Sequence, residues 1–198
     1  MIQWLNRLGW LACLIYSTIP ALWLMIHSRA DYWRSQKRSP YFRLLPAWMA
    51  MWIVLGLVTF TWRRIPLYAS AWTWIPAIIL FLAGLWIYSQ SGKQFSHAQL
   101  GGLPEILPSH PEQKLVTRGI RRQVRHPIYL AHLCEMLAWS LGTGLVVCYA
   151  LTALAIVTGA IMIQQEDNEL AQRFGKEYEE YRKSTPAILP SMFSPNVK

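Results

Sequence analysis

Charge is scarce in this chain. Asp, Glu, Lys and Arg make up 15% of its 198 residues against 54% hydrophobic. The apolar residues run in long blocks rather than in the short alternations of a soluble core, which excludes an ordinary water-soluble domain. Cysteine is sparse too. Cys13, Cys134 and Cys148 lie inside apolar blocks with no CxxC pair and no Cys/His spacing, which argues against a disulfide framework and against a metal site. Internal repeats, low-complexity tracts and linker-like stretches are absent, so residues 1–198 read as one membrane domain. No small-residue cleavage site follows the first apolar run. A basic stretch does, so the run reads as a membrane span rather than a signal peptide.

Span-length hydrophobicity is what the chain has in place of these. Candidate spans cover residues 8–27, 44–62, 72–90, 128–141 and 144–164, each near the ~20 residues that cross ~30 Å of hydrocarbon. The fourth is short, so the last two form a hairpin open to tilt. Trp4, Trp10, Trp62, Tyr68, Trp72, Trp74 and Tyr88 crowd the span ends, where an amphipathic ring sits at headgroup level. The formal charge of +9 could suggest nucleic acid, but its distribution argues for membrane topology. Of the 19 Lys and Arg, one precedes the first span, five follow it, two follow the second, six follow the third, none lies in the Gly142-Thr143-Gly144 turn and five lie in the tail. Rich loops alternate with poor ones, which predicts five crossings with the N-terminus outside and the C-terminus and the 91–125 loop in the cytoplasm. The excess charge then serves orientation and attraction to anionic membrane lipid. The predicted fold is an all-α integral membrane protein of about five transmembrane helices with a C-terminal amphipathic helix. Residues 1–90 supply three spans, and 91–198 supply a loop, a helical hairpin and a tail that carry the chemistry.

The polar residues gather in two places. One is the 91–125 loop, rich in Gly and Pro yet holding Phe95, Leu100, Leu103, Ile106, Leu107, Leu115 and Val116, apolar content that favours an ordered, site-building loop over a solvated linker. It ends at Arg125-His126-Pro127-Ile128-Tyr129. Pro127 suits the first turn of a helix. His126 and Tyr129, three apart on one face beside Arg125, read either as a helix start with a snorkelling Arg or as a ligand site at the membrane boundary. His132 and Glu135 continue the stripe by steps of three; an ionisable pair at membrane depth serves either a polar cavity or a contact between packed helices. Trp139 extends it one turn further, toward an apolar cavity or into packing. The other place is Glu166-Asp167 at the end of the last span, opposite in charge to the basic loop and able to close with it over a ligand. Leu170, Phe174, Tyr178 and Tyr181 then fall on one face of a helix over 166–183.

Taken together, Leu115-Val116-Thr117-x-Gly119, Arg125-His126-Pro127-x-Tyr129, Glu166-x-x-x-Leu170-x-x-x-Phe174-Gly175-x-x-Tyr178-x-x-Tyr181 and Pro186-x-x-x-Pro190 resemble the isoprenylcysteine carboxyl methyltransferase family, which is related to the phospholipid methyltransferases. The resemblance covers about the last hundred residues; the first three spans match in character only. It implies a multi-span enzyme that takes a methyl group from S-adenosylmethionine and transfers it to a lipophilic or lipidated acceptor, with no metal. By the resemblance, Gln113, Lys114, Leu115 and Val116 supply backbone and apolar contacts to the cofactor. His126, Pro127, Ile128 and Tyr129 wall it, Glu166 is the cofactor-binding acid, and Gln99 is a further contact. A carboxylate suits ribose hydroxyls or the ammonium of the methionine moiety. His132 and Glu135 fall on the acceptor side, as a base for an amine or as orienting groups.

Departures from the family pattern are specific. Arg121 stands where an aromatic residue is usual, Met162 stands where the eukaryotic enzymes place an Arg associated with the prenylcysteine substrate, and Asp167 stands where Glu is common. Two rivals are a nicotinamide-dependent sterol-type reductase of related fold and a non-enzymatic membrane scaffold. The reductases carry Asn-Tyr where this chain has Pro127-Ile128-Tyr129, and Cys-x-x-Lys-Tyr-Gly where it has Ala171-Gln172-Arg173-Phe174-Gly175. A scaffold leaves the paired polar clusters without a task.

Overall fold

The computed structural model describes residues 2–36, 39–93 and 115–189. Gln99, Gln113 and Lys114 lie outside the described residues. Among those described, the architecture is helical: α1 (Ile2–His27), α2 (Ala30–Arg34), α3 (Tyr41–Thr59), α4 (Trp74–Gly92), α5 (Pro127–Thr143), α6 (Val146–Phe174) and α7 (Lys176–Ser184), with 3-10 turns at Trp62–Arg64 and Gly119–Arg122. Four helices, α1, α3, α4 and α6, are long and apolar enough to cross a membrane. Unequal lengths distinguish the hairpin. The 17 residues of α5 rise about 25 Å, whereas the 29 of α6 rise about 43 Å. Against ~30 Å of hydrocarbon, α5 falls short and α6 overshoots, and the overshooting end carries Glu166, Asp167 and Glu169.

Packing follows composition. The buried core joins α1, α5 and α6 through Trp10, Cys13, Leu14, Met136, Val147, Cys148 and Leu151. α3 and α4 leave Phe42, Ile53, Val54, Leu57, Ile75, Ile79, Leu82 and Trp86 exposed, an apolar surface that water would oppose and a bilayer accommodates. α4 packs most extensively on α5, and Gly84 permits it: a Cβ there would come within 2.9 Å of Glu135 Cγ and 3.1 Å of the Ala131 carbonyl oxygen. Trp139 meets Trp74 and Phe81 edge to face, so it serves packing.

The far end of the bundle is closed by neutral hydrogen bonds. Trp10 Nε1 donates to Thr59 Oγ1 at 3.0 Å; Tyr68 OH donates to the Leu141 carbonyl at 3.0 Å and shares a 2.6 Å contact with Tyr149 OH. Leu67 N–H donates to the Gly144 carbonyl at 2.7 Å and Val146 N–H to the Ile65 carbonyl at 3.0 Å, tying the turn between α5 and α6 to the segment after α3. Gly144 makes that turn possible with φ of 65°, a left-handed conformation that glycine adopts at little cost.

The tail differs from one helix running through 166–183. Gly175, with φ 56° and ψ −131°, ends α6 and starts α7 in a new direction, a conformation closed to residues with a Cβ. The four positions therefore split. Leu170 and Phe174 line a cavity, while Tyr178 and Tyr181 are the buried residues of α7.

Candidate functional site

The short α5 begins where the overshooting α6 carries its acids, so the two meet at one level. His126 precedes the first turn of α5 and Pro127 opens it, the position at which a missing N–H costs nothing. The His126 ring is 3% exposed and is flanked by carboxylates on both sides. Its Nε2 lies 2.9 Å from Asp167 Oδ1 and its Nδ1 3.2 Å from Glu166 Oε2. Burial disfavours the charged ring, but the Glu166 and Asp167 carboxylates outweigh it and push His126 up to about 9.

Asp167 is the hub of this end. Arg125 Nη2 donates to Asp167 Oδ2 at 2.7 Å, Tyr178 OH donates to Oδ1, and Arg182 Nε stands 3.7 Å from Oδ2. Arg125 also donates through Nη1 to the Arg182 carbonyl at 3.0 Å and to the Thr185 carbonyl, satisfying backbone acceptors left over at the end of α7. The tail is fastened to the loop directly as well. The N–H groups of Arg125 and His126 donate to the Pro186 and Ala187 carbonyls, both at 2.9 Å, and Tyr181 OH donates to the Arg121 carbonyl at 2.6 Å.

Of these groups, Arg121, His126 and Glu166 wall one side of a cavity of about 660 Å³. Of the residues singled out in the sequence for cofactor binding, Leu115, Val116, His126, Pro127, Ile128, Tyr129 and Glu166 all line it. Asp167 does not. His132 lines the cavity too, tilted against Tyr16 at 5.1 Å and edge-on to Tyr88 at 5.4 Å between ring centroids. Glu135 is absent from the lining; its Oε2 accepts a 2.5 Å hydrogen bond from Tyr16 OH, so the stripe of Tyr129, His132 and Glu135 divides between cavity and helix contact. Glu166 keeps bonding capacity unspent. Its Oε2 pairs with His126 by charge but without hydrogen-bond alignment, and it accepts no hydrogen bond among the described residues.

Sequence reasoning missed the opposite wall. Ile19, Leu22, Trp23, Ile26 and His27 of α1 and Tyr41, Leu45 and Trp48 of α3 complete the cavity. His27 Nδ1 contacts Glu169 Oε2 at 2.5 Å, and Trp48 Nε1 donates to Thr18 Oγ1 at 2.8 Å. The available signal was the i, i+4, i+7 spacing of Tyr41, Leu45 and Trp48 on one helical face. Nothing in such a stripe separates a face toward lipid from one toward a cavity.

A cavity walled by an acid, a doubly paired histidine and apolar and aromatic side chains, inside a bundle of helices long and apolar enough to cross a membrane, describes a helical membrane protein built around a cavity. The phospholipid methyltransferase family profile matches residues 72–177, more than half the chain, and the protein belongs to that family. Protein-S-isoprenylcysteine O-methyltransferase B of Arabidopsis thaliana is 35% identical over 82 residues, covering 39% of this chain and 40% of the relative. Methanethiol S-methyltransferase of Crocosphaera subtropica is 25% identical over 173 residues, covering 79% and 67%. Delta(14)-sterol reductase of Mus musculus is 31% identical over 105 residues, covering 51% and 25%. The chain spans about half the length, or less, of the isoprenylcysteine methyltransferases it matches. The match begins ahead of α4, earlier than the motifs alone suggest, and leaves α1 and α3 outside.

Proposed function

We propose that this protein is a membrane-embedded methyltransferase that uses S-adenosylmethionine and acts on a lipophilic acceptor. The observation that carries the reading is the Glu166 carboxylate, at the cavity wall with an oxygen that accepts no hydrogen bond among the described residues. The cavity suits that cofactor. Glu166 would take ribose hydroxyls or the ammonium group, while Tyr129, Phe174, Leu115 and Val116 offer flat and apolar surface to a purine. Bound there, the cofactor would supply an activated methyl group; the chain's part is to align the reactants and exclude water. Gln99, Gln113 and Lys114 belong to the same proposed set.

The acceptor would enter from the bilayer through the α1 and α3 side, where Leu22, Trp23, Leu45 and Trp48 form the wall. His132 would face it, either orienting it or taking a proton from an amine, and Glu135 would act through Tyr16. Five crossings, with α5 as the short one and α7 as the amphipathic tail, put the N-terminus outside and the site in the cytoplasm, where the cofactor is made. Residues 1–90 would then shape the acceptor side and 91–198 the cofactor side of one domain.

The likeness to a methanethiol S-methyltransferase covers a share of the chain too large to fit within residues 72–198 alone, so it runs into the acceptor-side helices. Small thiols therefore belong in the acceptor panel. The sterol reductase likeness covers only 25% of that enzyme, and the Asn-Tyr and Cys-x-x-Lys-Tyr-Gly signatures are absent here.

Calorimetry with S-adenosylhomocysteine on purified protein in detergent tests the reading. A charge-assisted hydrogen bond is worth ~1.5–3 kcal/mol, so Glu166→Ala is expected to weaken binding about tenfold or more, far more than it lowers protein stability. No binding by the wild type would defeat the cofactor assignment. Label from radioactive S-adenosylmethionine, followed into a lipid extract, prenylcysteine analogues and small thiols, then identifies the acceptor; label confined to water-soluble amines would defeat the lipophilic part.

A further inference from the structure

We propose that Asp167, a residue with no place in the cavity wall, is a positioning residue that acts through His126 to aim the Glu166 carboxylate into the cavity. The inference rests on the cofactor reading above for its ligand, and on side-chain geometry for its logic. Glu166 and Asp167 are consecutive on α6, so their side chains diverge by about 100° around the helix. Glu166 reaches the cavity; Asp167 turns into protein and is 3% exposed. The His126 ring spans the gap between them, 2.9 Å from one acid and 3.2 Å from the other.

A neutral imidazole has one N–H and one lone pair. With carboxylates at both nitrogens, the neutral ring would set a lone pair against a carboxylate oxygen on one side. Only the imidazolium sets positive charge against both. Asp167 therefore fixes both the plane of the ring and its proton count, and it is itself held by Arg125 Nη2 and Tyr178 OH. The clamped ring leaves Glu166 a charge partner at 3.2 Å that does not satisfy it as a hydrogen-bond acceptor. Glu166 stays ionised and directed, with its acceptor capacity available to a ligand.

Charged and titratable groups surround this assembly from each packed element. Glu166 and Asp167 come from α6, and Arg125 from the segment before α5. Tyr178 and Arg182 of α7 touch Asp167, Tyr129 of α5 stacks on His126 at 5.7 Å, and His27 of α1 and Arg121 act on Glu166. Burial opposes ionisation of Tyr178, and the adjoining Asp167 carboxylate adds to that, so this phenol remains protonated across the range in which His126 titrates.

The test is S-adenosylhomocysteine binding to the full-length protein in detergent, from about pH 6 to pH 10, for wild type, Asp167→Asn and Asp167→Glu. The His126 ring is followed in parallel by carbon-13 NMR without ligand, with His126→Asn used to assign its signal. Wild-type affinity is expected to hold to about pH 8 and to fall as His126 loses its proton near 9. In Asp167→Asn both the ring titration and the affinity fall should move down by a pH unit or more, with about tenfold weaker binding than wild type at about pH 10, since a unit of pKa is a factor of ten once both rings are mostly deprotonated. Asp167→Glu should restore most of both. A lower melting temperature with an unchanged ring titration and unchanged affinity would overturn the proposal and leave Asp167 a structural residue. Should Asp167→Asn fail to fold, a wild-type affinity that stays level through the His126 midpoint overturns it equally. If the wild type does not bind S-adenosylhomocysteine at all, the cofactor reading fails, and the ring titration in Asp167→Asn decides the His126 linkage on its own.

Discussion

The two ends of the helical bundle are built from overlapping side chains to opposite effect. At the far end, Trp10, Thr59, Tyr68 and Tyr149 pair hydroxyl, indole and backbone groups into neutral hydrogen bonds that close the turn between α5 and α6. At the site end, Arg125, His126, Glu166, Asp167 and Tyr178 form a charged network that is, Glu166 apart, more deeply buried than the neutral one. Neutral bonds between well-matched partners serve only to hold. A buried network of unlike charges is costly to assemble and punishing to break, and it leaves a directed carboxylate beside a cavity. The difference separates the end that fixes the fold from the end that can hold a ligand.

Removing the hub tests that contrast most severely. Asp167→Ala leaves Arg125 a buried cation without its carboxylate and His126 with Glu166 alone, and breaking a buried pair from one side typically costs about 3–5 kcal/mol; thermal unfolding in detergent should show the largest loss of any single substitution at this end. A smaller effect follows from pH. His126 is raised from 6.5 to about 9 in the folded protein, so the folded state holds its proton more tightly than the unfolded chain. The stabilisation is complete below about 6.5, declines as pH rises through the window up to about 9, and is gone above it. Melting temperature should therefore fall from pH 7 to pH 9.5, and a stability that rose over that range would contradict the doubly paired ring. Smallest is the neutral end. Tyr68→Phe removes one hydroxyl from two hydrogen bonds and should cost about 1 kcal/mol, with no change in the pH dependence of melting.

Much of the site end was legible because its residues violate the surrounding pattern. Arg125, His126 and Glu166 are polar groups abutting apolar spans, and Pro127 marks the helix start by a local rule that needs no tertiary knowledge. Asp167 was visible as a second acid but not as the hub, because its partners Tyr178 and Arg182 stand on a helix whose direction is set by the φ of Gly175. Glu135 was visible as an anomaly, while its partner Tyr16, 119 positions away, was not. The α1 and α3 wall was hidden for a different reason. In a membrane span an apolar side chain satisfies lipid and cavity alike, so hydrophobicity carries no record of which one it faces. Two helices outrun the predicted spans for a similar cause: α1 begins at Ile2 rather than at residue 8, and α6 runs on to Phe174 rather than stopping at residue 164, because helical packing continues where hydropathy stops.

The unequal hairpin has one more consequence. α5 and α6 are joined by a turn with no slack, pinned by the Leu67 and Val146 backbone hydrogen bonds around Gly144. The difference in length between 17 and 29 residues is therefore paid out entirely at the other end, like two ropes of different length hung from one beam. The depth of Glu166 is measured from that beam along a stiff rod and not from the nearer membrane surface. In a thicker or thinner bilayer the headgroup level would shift past a stationary carboxylate, so membrane thickness itself would set how the cavity mouth meets the aqueous phase.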